Sequence, residues 1–146
     1  MKISTKGRYG LRVMIELAQR YGDGPVMMDT ISNCVGVSRK YLYNLLTNLK
    51  TAGMVRAVRG AGGGFELTRK PQDITANDVV QTLEGPLTLV HCIDEGQNCE
   101  RIETCASREV WLEMGKALDK VLSGFTLHDL AERQQAKCSK PLMFHI

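Results

Sequence analysis

The sequence predicts a mainly α-helical fold with one small β-hairpin, and three segments lead to this prediction. Residues 38–53 place four leucines at the spacing of one buried helical face. Residues 55–69, VRAVRGAGGGFELTR, are typical of two short strands around a glycine-rich turn. Residues 106–125 carry apolar side chains at alternating spacings of three and four, which indicates a long helix.

Composition and charge limit the kind of protein. Of the 146 residues, 43% are hydrophobic, which is enough for a core, and no apolar run reaches the roughly 20 residues of a membrane span. The start, MKISTKGRYG, lacks the apolar core of a signal peptide, so we expect a cytoplasmic protein with no membrane partner. Residues 1–70 carry 12 Lys and Arg against 4 acids, whereas residues 71–146 carry 7 against 12. A basic first half favours nucleic acid as partner over a chance imbalance of surface charge.

Residues 5–53, within the basic half, predict a helix-turn-helix. A first helix over about 5–21 ends at YGDGP. A short helix begins near Asp29 and is broken by Gly36; Ser38 then caps a second helix that ends at Gly53. Two helices joined by a tight glycine-containing turn form the helix-turn-helix pattern. The side chains opposite the leucines or in the first turn are suited to base edges and phosphates; they are Arg39, Lys40, Tyr41, Tyr43, Asn44, Thr47 and Thr51.

The hairpin at 55–69 is interpreted as a wing that binds double-stranded DNA. Its turn, GAGGG at 60–64, leaves the backbone nearly bare, so it could enter a narrow groove or lie against phosphates. Arg59 at the base of the turn is a natural minor-groove probe. The alternative is a flexible hairpin without a partner, but the arginines, the glycines and the preceding motif agree on a wing.

The second half predicts three further helices. Pro71 marks a linker, and Thr75 with Asp78 forms a capping box for a helix that ends at Glu84. Thr126 with Asp129 begins a short last helix to about 135, and a tail with Cys138 and His145 follows. The long helix between them has an apolar seam formed by Trp111, Met114, Leu118, Val121 and Phe125. An unpaired seam would expose a large strip, so a homodimer is preferred over packing within one domain.

Three of the five cysteines lie in HCIDEGQNCERIETC, residues 91–105. Without a secretion signal, they argue for metal binding or redox chemistry rather than a disulfide framework. The gaps of six and five residues exclude the CxxC geometry of a zinc knuckle and suit a long loop around a larger group, such as an iron–sulfur cluster. The alternatives are a structural zinc site, a cofactor-free thiol switch, or three incidental cysteines.

Four stretches occur together in this order: MKISTKGRYGLRVMIELA, VSRKYLYNLL, RGAGGGFEL and the three-cysteine segment. Over about residues 1–135 they resemble the Rrf-type family of bacterial winged-helix transcription regulators, and within it the IscR-like branch of iron–sulfur cluster regulators. The resemblance implies four parts: a winged helix-turn-helix domain over 1–84, a cysteine cluster-binding loop over 85–105, a dimerisation helix with a short capping helix over 106–135, and a tail over 136–146.

The resemblance also implies a function. It indicates a DNA-binding regulator, mainly a repressor, whose DNA affinity is controlled by an iron–sulfur cluster that senses iron–sulfur status, oxygen or nitric oxide. DNA contacts would come from the helix that begins at Ser38 and from the wing, through Arg59, Gly60, Gly62 and Gly63. The cluster, [2Fe–2S] rather than [4Fe–4S], would be held by Cys92, Cys99 and Cys105.

The fourth cluster ligand is open. His91 has the right chemistry, and Cys34 could come from the other subunit, although a small buried residue is the preferred interpretation of Cys34. Glu84, His128 or a small molecule are further alternatives. The IscR-like pattern has five residues in each gap and a His three residues after the last cysteine; here the first gap is six and that position is Arg108.

Rival functions follow from the same residues. A regulator that switches by thiol–disulfide chemistry without a cofactor is one alternative. A cluster-bearing electron-transfer protein is another, against which the basic half argues. No nucleophile–base pair is visible, so no enzyme is predicted. Tyr43 stands where IscR-type recognition helices often carry Glu, so the choice of DNA sequence is expected to differ.

Overall fold

The computed structural model describes residues 3–93 and 99–139, and it confirms the predicted fold class. This part of the chain forms six α-helices and one two-stranded antiparallel sheet. The elements are α1 (Thr5–Gln19), α2 (Met28–Val35), α3 (Arg39–Thr51), β1 (Val55–Val58), β2 (Gly64–Leu67), α4 (Ala76–Glu84), α5 (Ala106–Ser123) and α6 (Leu127–Cys138). None of the described helices is long and apolar enough to cross a membrane. His145 and the rest of the predicted tail beyond 139 lie outside the described residues.

The helix-turn-helix forms as predicted from α2 and α3. Gly36 ends α2 in the left-handed region, at φ +74°, which a side chain would disfavour. The Ser38 hydroxyl accepts a hydrogen bond from the Tyr41 amide at 3.2 Å and so caps α3. The predicted leucine stripe of α3 is fully buried in the core, and its members are Leu42, Leu45, Leu46 and Leu49.

Two glycines let α1 lie directly against α4. A Cβ at Gly10 would overlap Cδ1 of Leu83, and one at Gly7 would come within 2.5 Å of the Glu84 carboxylate. The Glu84 Oε1 atom accepts hydrogen bonds from the Ser4 amide at 3.1 Å, the Ser4 hydroxyl at 2.5 Å and the Gly7 amide at 2.9 Å. The last residue of α4 therefore satisfies donors in the first turn of α1.

Both predicted capping boxes are present, and they join the beginnings of α4 and α6. Thr75 pairs with Asp78, and Thr126 pairs with Asp129, each through side chain and backbone. Thr75 and Thr126 also form an isolated antiparallel bridge. α6 also packs against α1, and its first residue, Leu127, is fully buried in the main core. The last helix runs to Cys138, so its predicted end at 135 was three residues short.

The long helix α5 lies at the edge of the fold and has no fully buried residue. The Asn77 amide donates to Asp119 at 2.8 Å and ties α5 to α4. The large apolar side chains of α5 that are exposed are Val110, Met114 and Val121, at 54%, 44% and 58% exposure.

The predicted seam is therefore only partly exposed in the single chain. Met114 and Val121 are exposed, whereas Trp111, Leu118 and Phe125 are half-buried. Packing within the single chain therefore partly covers some of the residues that sequence spacing alone assigns to the outer face. The outer line begins instead at Val110, one position before the predicted Trp111.

Candidate functional site

The exposed face of α3 presents the predicted polar side chains. Lys40, Tyr43 and Asn44 are exposed, Tyr43 at 58%. Arg39 is also exposed, and its Nε lies 3.0 Å from Asp29 Oδ1. An ion pair in which both side chains face solvent contributes at most about 1 kcal/mol, so Arg39 can exchange this partner for a phosphate at little cost.

Tyr41 differs from its neighbours because it is half-buried against the core. Its ring meets the Tyr9 ring of α1 edge to face, with 6.1 Å between the centroids. Its hydroxyl is buried and has no hydrogen-bond partner among the described residues. Tyr41 therefore joins the recognition helix to α1, besides lying near the predicted DNA surface.

The two threonines predicted on the polar face are turned towards their own helix. The Thr47 hydroxyl donates to the Tyr43 carbonyl at 2.8 Å, and the Thr51 hydroxyl donates to the Thr47 carbonyl at 2.9 Å. Each hydroxyl proton is thus committed one turn back along α3. The part of the polar α3 face whose side-chain donors are not used within the helix is therefore narrower than the sequence indicated, and it centres on Lys40 and Asn44.

The wing forms as predicted, with β1 paired to β2 from Val55↔Leu67 to Val58↔Gly64. Arg59 is exposed at the base of its turn, whereas Arg56 is held by Glu66 across the strands at 2.7 Å. Of the two, Arg59 is the guanidinium without an ion pair in the described part of the chain.

The glycines of the wing are required by the hairpin itself. Gly60 and Gly62 have φ values of +105° and +80°, which side chains disfavour. A Cβ on Gly63 would overlap the Val58 carbonyl oxygen, and one on Gly64 would overlap the Val26 carbonyl. Sequence reasoning assigned these glycines to close approach of DNA; the structure adds that the turn cannot close without them.

Two arginines of α1 lie beside Tyr9, which contacts Tyr41 of α3, and the sequence reasoning did not single them out. The guanidinium of Arg8 lies 4.8 Å from the Tyr9 ring centroid, and that of Arg12 lies 5.3 Å from it. Both are exposed. The signal was present in RYGLR, where two arginines four residues apart share one helical face with the tyrosine between them.

The cysteine segment connects α4 to α5. Cys92 lies in a single turn of 3₁₀-helix, His91–Ile93, and Cys105 immediately precedes α5. Cys92, Cys99 and Cys105 are all partly exposed and none is in a disulfide. The Ser107 hydroxyl, 3.2 Å from the sulfur, together with the Arg108 amide, lowers the pKa of the Cys105 thiol.

The structure does not bring a complete ligand set together within the described residues. In residues 3–93 and 99–139, no three side chains of the His, Cys, Asp and Glu types converge closely enough to hold a metal ion. Two proposed alternatives for the fourth ligand already have partners. The Glu84 carboxylate accepts hydrogen bonds from the first turn of α1, and His128 Nε2 lies 3.4 Å from Glu132 Oε1 on its own helix. Cys34 is exposed on α2, so its interpretation as a small buried residue was wrong.

A helix-turn-helix, a glycine wing with an arginine at its base and a basic recognition helix together define a winged helix-turn-helix DNA-binding protein. Comparison with known proteins gives the same class. The model of the Rrf2 family, described as iron-dependent transcriptional regulator, matches residues 3–133. The chain belongs to the Rrf2 family of DNA-binding transcriptional regulators, and the prediction of a regulator rather than an enzyme is confirmed.

Several relatives span nearly the whole chain. The transcriptional regulator CymR of Bacillus subtilis is 41% identical over 146 residues, all of both chains. The solved structure of that protein, the global cysteine regulator, has a TM-score of 0.78 at 42% identity and covers 91% of this chain and 98% of its own. The T. potens IscR structure has a TM-score of 0.77 at 35% identity, covering 99% and 97%. The oxidized form of Staphylococcus aureus CymR has a TM-score of 0.73 at 39% identity, covering 90% and 97%.

Proposed function

We propose that this protein is a homodimeric transcriptional repressor whose operator affinity is controlled by an iron–sulfur cluster held by Cys92, Cys99 and Cys105. The observation that carries the proposal is the position of the cysteine segment. It follows Glu84, whose carboxylate caps α1 in the DNA-binding half, and it leads into α5 at Cys105. A group bound in this segment would therefore act on the DNA-binding half and on the outer helix at once.

The chemistry of the donor set fits such a cluster. Cysteine thiolates are the usual protein ligands of iron–sulfur clusters, and three unpaired thiols lie in one short stretch. When bound, the cluster supplies one-electron redox chemistry. The nuclearity favoured by the resemblance is [2Fe–2S]. His91, and Cys34 of a second copy, stay the candidates for the fourth ligand, because Arg108 has no donor lone pair to offer.

DNA binding is assigned to α3 and the wing. Lys40, Tyr43 and Asn44 face solvent together, as the base-reading side of a recognition helix must. Arg59 extends from the wing without an ion pair among the described residues, which suits insertion into a narrow minor groove.

Dimerisation is assigned to the outer face of α5. Val110, Met114 and Val121 follow one another at spacings of four and seven residues and are all exposed. A line of apolar side chains at this spacing is typical of a helix that packs against another helix. A second copy would remove this line from water and would hold two recognition helices in one assembly, as two DNA half-sites require.

Protein purified under anaerobic conditions tests the cluster. We expect visible charge-transfer absorption, together with iron and acid-labile sulfide in equal amounts. Single changes of Cys92, Cys99 or Cys105 to Ala should abolish the absorption. Cys138→Ala is the matched control and should leave the absorption unchanged, because Cys138 lies at the end of α6. Absorption that survives one of the three changes but not the control would show that the ligand set is wrong.

Operator binding tests the control of affinity by the cluster. Fluorescence anisotropy at one salt concentration should give different affinities for the cluster-loaded and the cluster-free protein. Coupling between two sites is typically about 1–3 kcal/mol, which corresponds to about 5- to 150-fold. Equal affinities for every promoter tested would mean that the cluster is structural. Dissociation to monomers on cluster loss would place the control at α5 instead.

A cofactor-free thiol–disulfide switch at the same cysteines is the second candidate function. The likeness to CymR proteins favours it, since one similar structure of Staphylococcus aureus CymR is an oxidized form. Under this alternative the protein would contain no iron, and its operator affinity would change on treatment with diamide and recover with dithiothreitol. A sample without iron whose affinity does not respond to diamide would exclude both functions.

A further inference from the structure

A cavity of about 470 Å³ lies between α1, α2 and α6, and two cysteines line it. Cys34 comes from α2 and Cys138 comes from the last turn of α6. Both thiols are exposed and neither is in a disulfide. The volume lies within the range of about 300–1,000 Å³ that is usual for small-molecule sites. We call this cavity the thiol groove; Cys92, Cys99 and Cys105 are not among its lining residues.

The two thiols of the groove differ in their surroundings. Partial burial of the sulfur and then the Glu16 carboxylate raise the pKa of Cys34. Its sulfur lies 4.0 Å from Nη2 of Arg20, but that guanidinium is held by Glu16 at 2.7 Å. The Cys138 sulfur instead accepts a hydrogen bond from the side-chain amide of Gln134 at 3.6 Å. Cys138 is therefore exposed in the last turn of α6 with a neutral neighbour, whereas Cys34 lies beside an ion pair, and we assign the exchange to Cys138.

The groove also holds a cation that suits a carboxylate. The Arg12 guanidinium lies over the Tyr9 ring at 5.3 Å, and no ion pair ties it to another side chain in the described part of the chain. A guanidinium over an aromatic ring still has N–H donors for a carboxylate. Ile15 and Val35 form an apolar part of the lining of the thiol groove. A small molecule with a sulfur at one end and a carboxylate at the other matches these groups.

We propose that the thiol groove is an S-thiolation site, where Cys138 forms a mixed disulfide with a small carboxylate-bearing disulfide that Arg12 binds. The Cys138 thiol loses its proton to solvent, and its sulfur attacks one sulfur of the small disulfide. A new S–S bond forms while the S–S bond of the small molecule breaks. The Cys138 sulfur is oxidised, and the departing half is reduced to a thiol after taking up a proton.

Cystine is the probe for this site. The reduced full-length protein is incubated with cystine, quenched with iodoacetamide, digested and analysed by peptide mass spectrometry. We expect one cysteinyl group on the Cys138 peptide and carbamidomethyl on the Cys34 peptide. Cys34→Ala should keep the adduct on Cys138. An adduct on Cys34 instead, or a Cys34–Cys138 cross-link, would overturn the proposal.

The role of Arg12 is tested by comparing two disulfides. Arg12→Gln should slow modification of Cys138 by cystine about two- to fivefold, since a solvent-exposed ion pair contributes up to about 1 kcal/mol. Cystamine has no carboxylate, so its reaction should not slow in this variant. Equal slowing with both disulfides, or no slowing with cystine, would show that the groove does not select a carboxylate. Unchanged far-UV circular dichroism verifies that the variant is folded.

Discussion

Replacing Glu84 by Ala should loosen the contact between α4 and α1. The Glu84 carboxylate is half-buried and accepts from two backbone amides and the Ser4 hydroxyl in the first turn of α1. A hydrogen bond to a charged group contributes about 1.5–3 kcal/mol, and partial exposure of the donors allows water to replace some of this. We therefore expect Glu84→Ala to lower the free energy of unfolding by about 2 kcal/mol. For a chain of this size, that corresponds to a fall of about 4–8 °C in the melting temperature.

The same contact predicts a pH dependence. The Ser4 hydroxyl, followed by the Gly7 and Ser4 amides, lowers the pKa of the Glu84 carboxyl, while burial acts in the opposite direction. A carboxyl with a lowered pKa in the folded state stabilises the protein above its unfolded pKa of about 4.3. That stabilisation is lost as the pH falls through the lower folded value. The difference in stability between the parent and Glu84→Ala should thus be full at neutral pH and should shrink below about pH 4.3.

Thermal and urea unfolding at one fixed protein concentration would measure both effects, because the proposed dimerisation would make stability depend on concentration. Glu113→Gln is the control: this carboxylate is 72% exposed, and its ion pair is with Lys116, one turn along its own helix. It should change the free energy of unfolding by less than about 0.5 kcal/mol. A melting temperature for Glu84→Ala within 1 °C of the parent, taken as about the precision of such measurements, would refute the assignment of Glu84 as a cap of α1.

Three further changes address the packing, DNA-binding and dimer surfaces. Gly10→Ala should destabilise the protein by about 1–3 kcal/mol in urea unfolding, because its Cβ has no room against α4, whereas Gly115→Ala has open space and should be neutral or stabilising. Arg59→Ala should weaken operator binding and flatten the slope of log affinity against log salt by about 0.9 per lost phosphate contact. An unchanged slope, or an equal effect of the ion-paired Arg56→Ala, would show that Arg59 makes no specific contact with the operator. Val121→Glu should convert dimers to monomers in analytical ultracentrifugation, and a variant that stays dimeric would place the interface elsewhere.

Much of the fold was predictable because it depends on interactions between residues close in sequence. The leucine stripe of α3 recurs within one helix, and Gly36 and the two capping boxes act over three or four residues. The wing follows from glycines and short strands that neighbour each other in the chain. For the same reason, the family resemblance could be carried by contiguous motifs.

The candidate site was predicted less completely. The exposed side chains Lys40, Tyr43, Asn44 and Arg59 lie where the sequence indicated. Tyr41 does not share their exposure, because its environment is set by Tyr9, which lies more than thirty residues earlier in the chain. The ligand set of the cysteine segment is still a prediction.

The sequence by itself determined which segments are helices, where they begin, and that the basic half is built for DNA, because periodicity, capping and charge are local properties. Only the tertiary structure decided which faces are covered. On α5, Trp111 is half-buried and Val110 is exposed. Glu84 contacts the first turn of α1, and Cys34 and Cys138 line one groove. These outcomes depend on contacts between helices far apart in sequence, and helical spacing alone cannot distinguish the side of a helix that meets its own domain from the side that meets a partner.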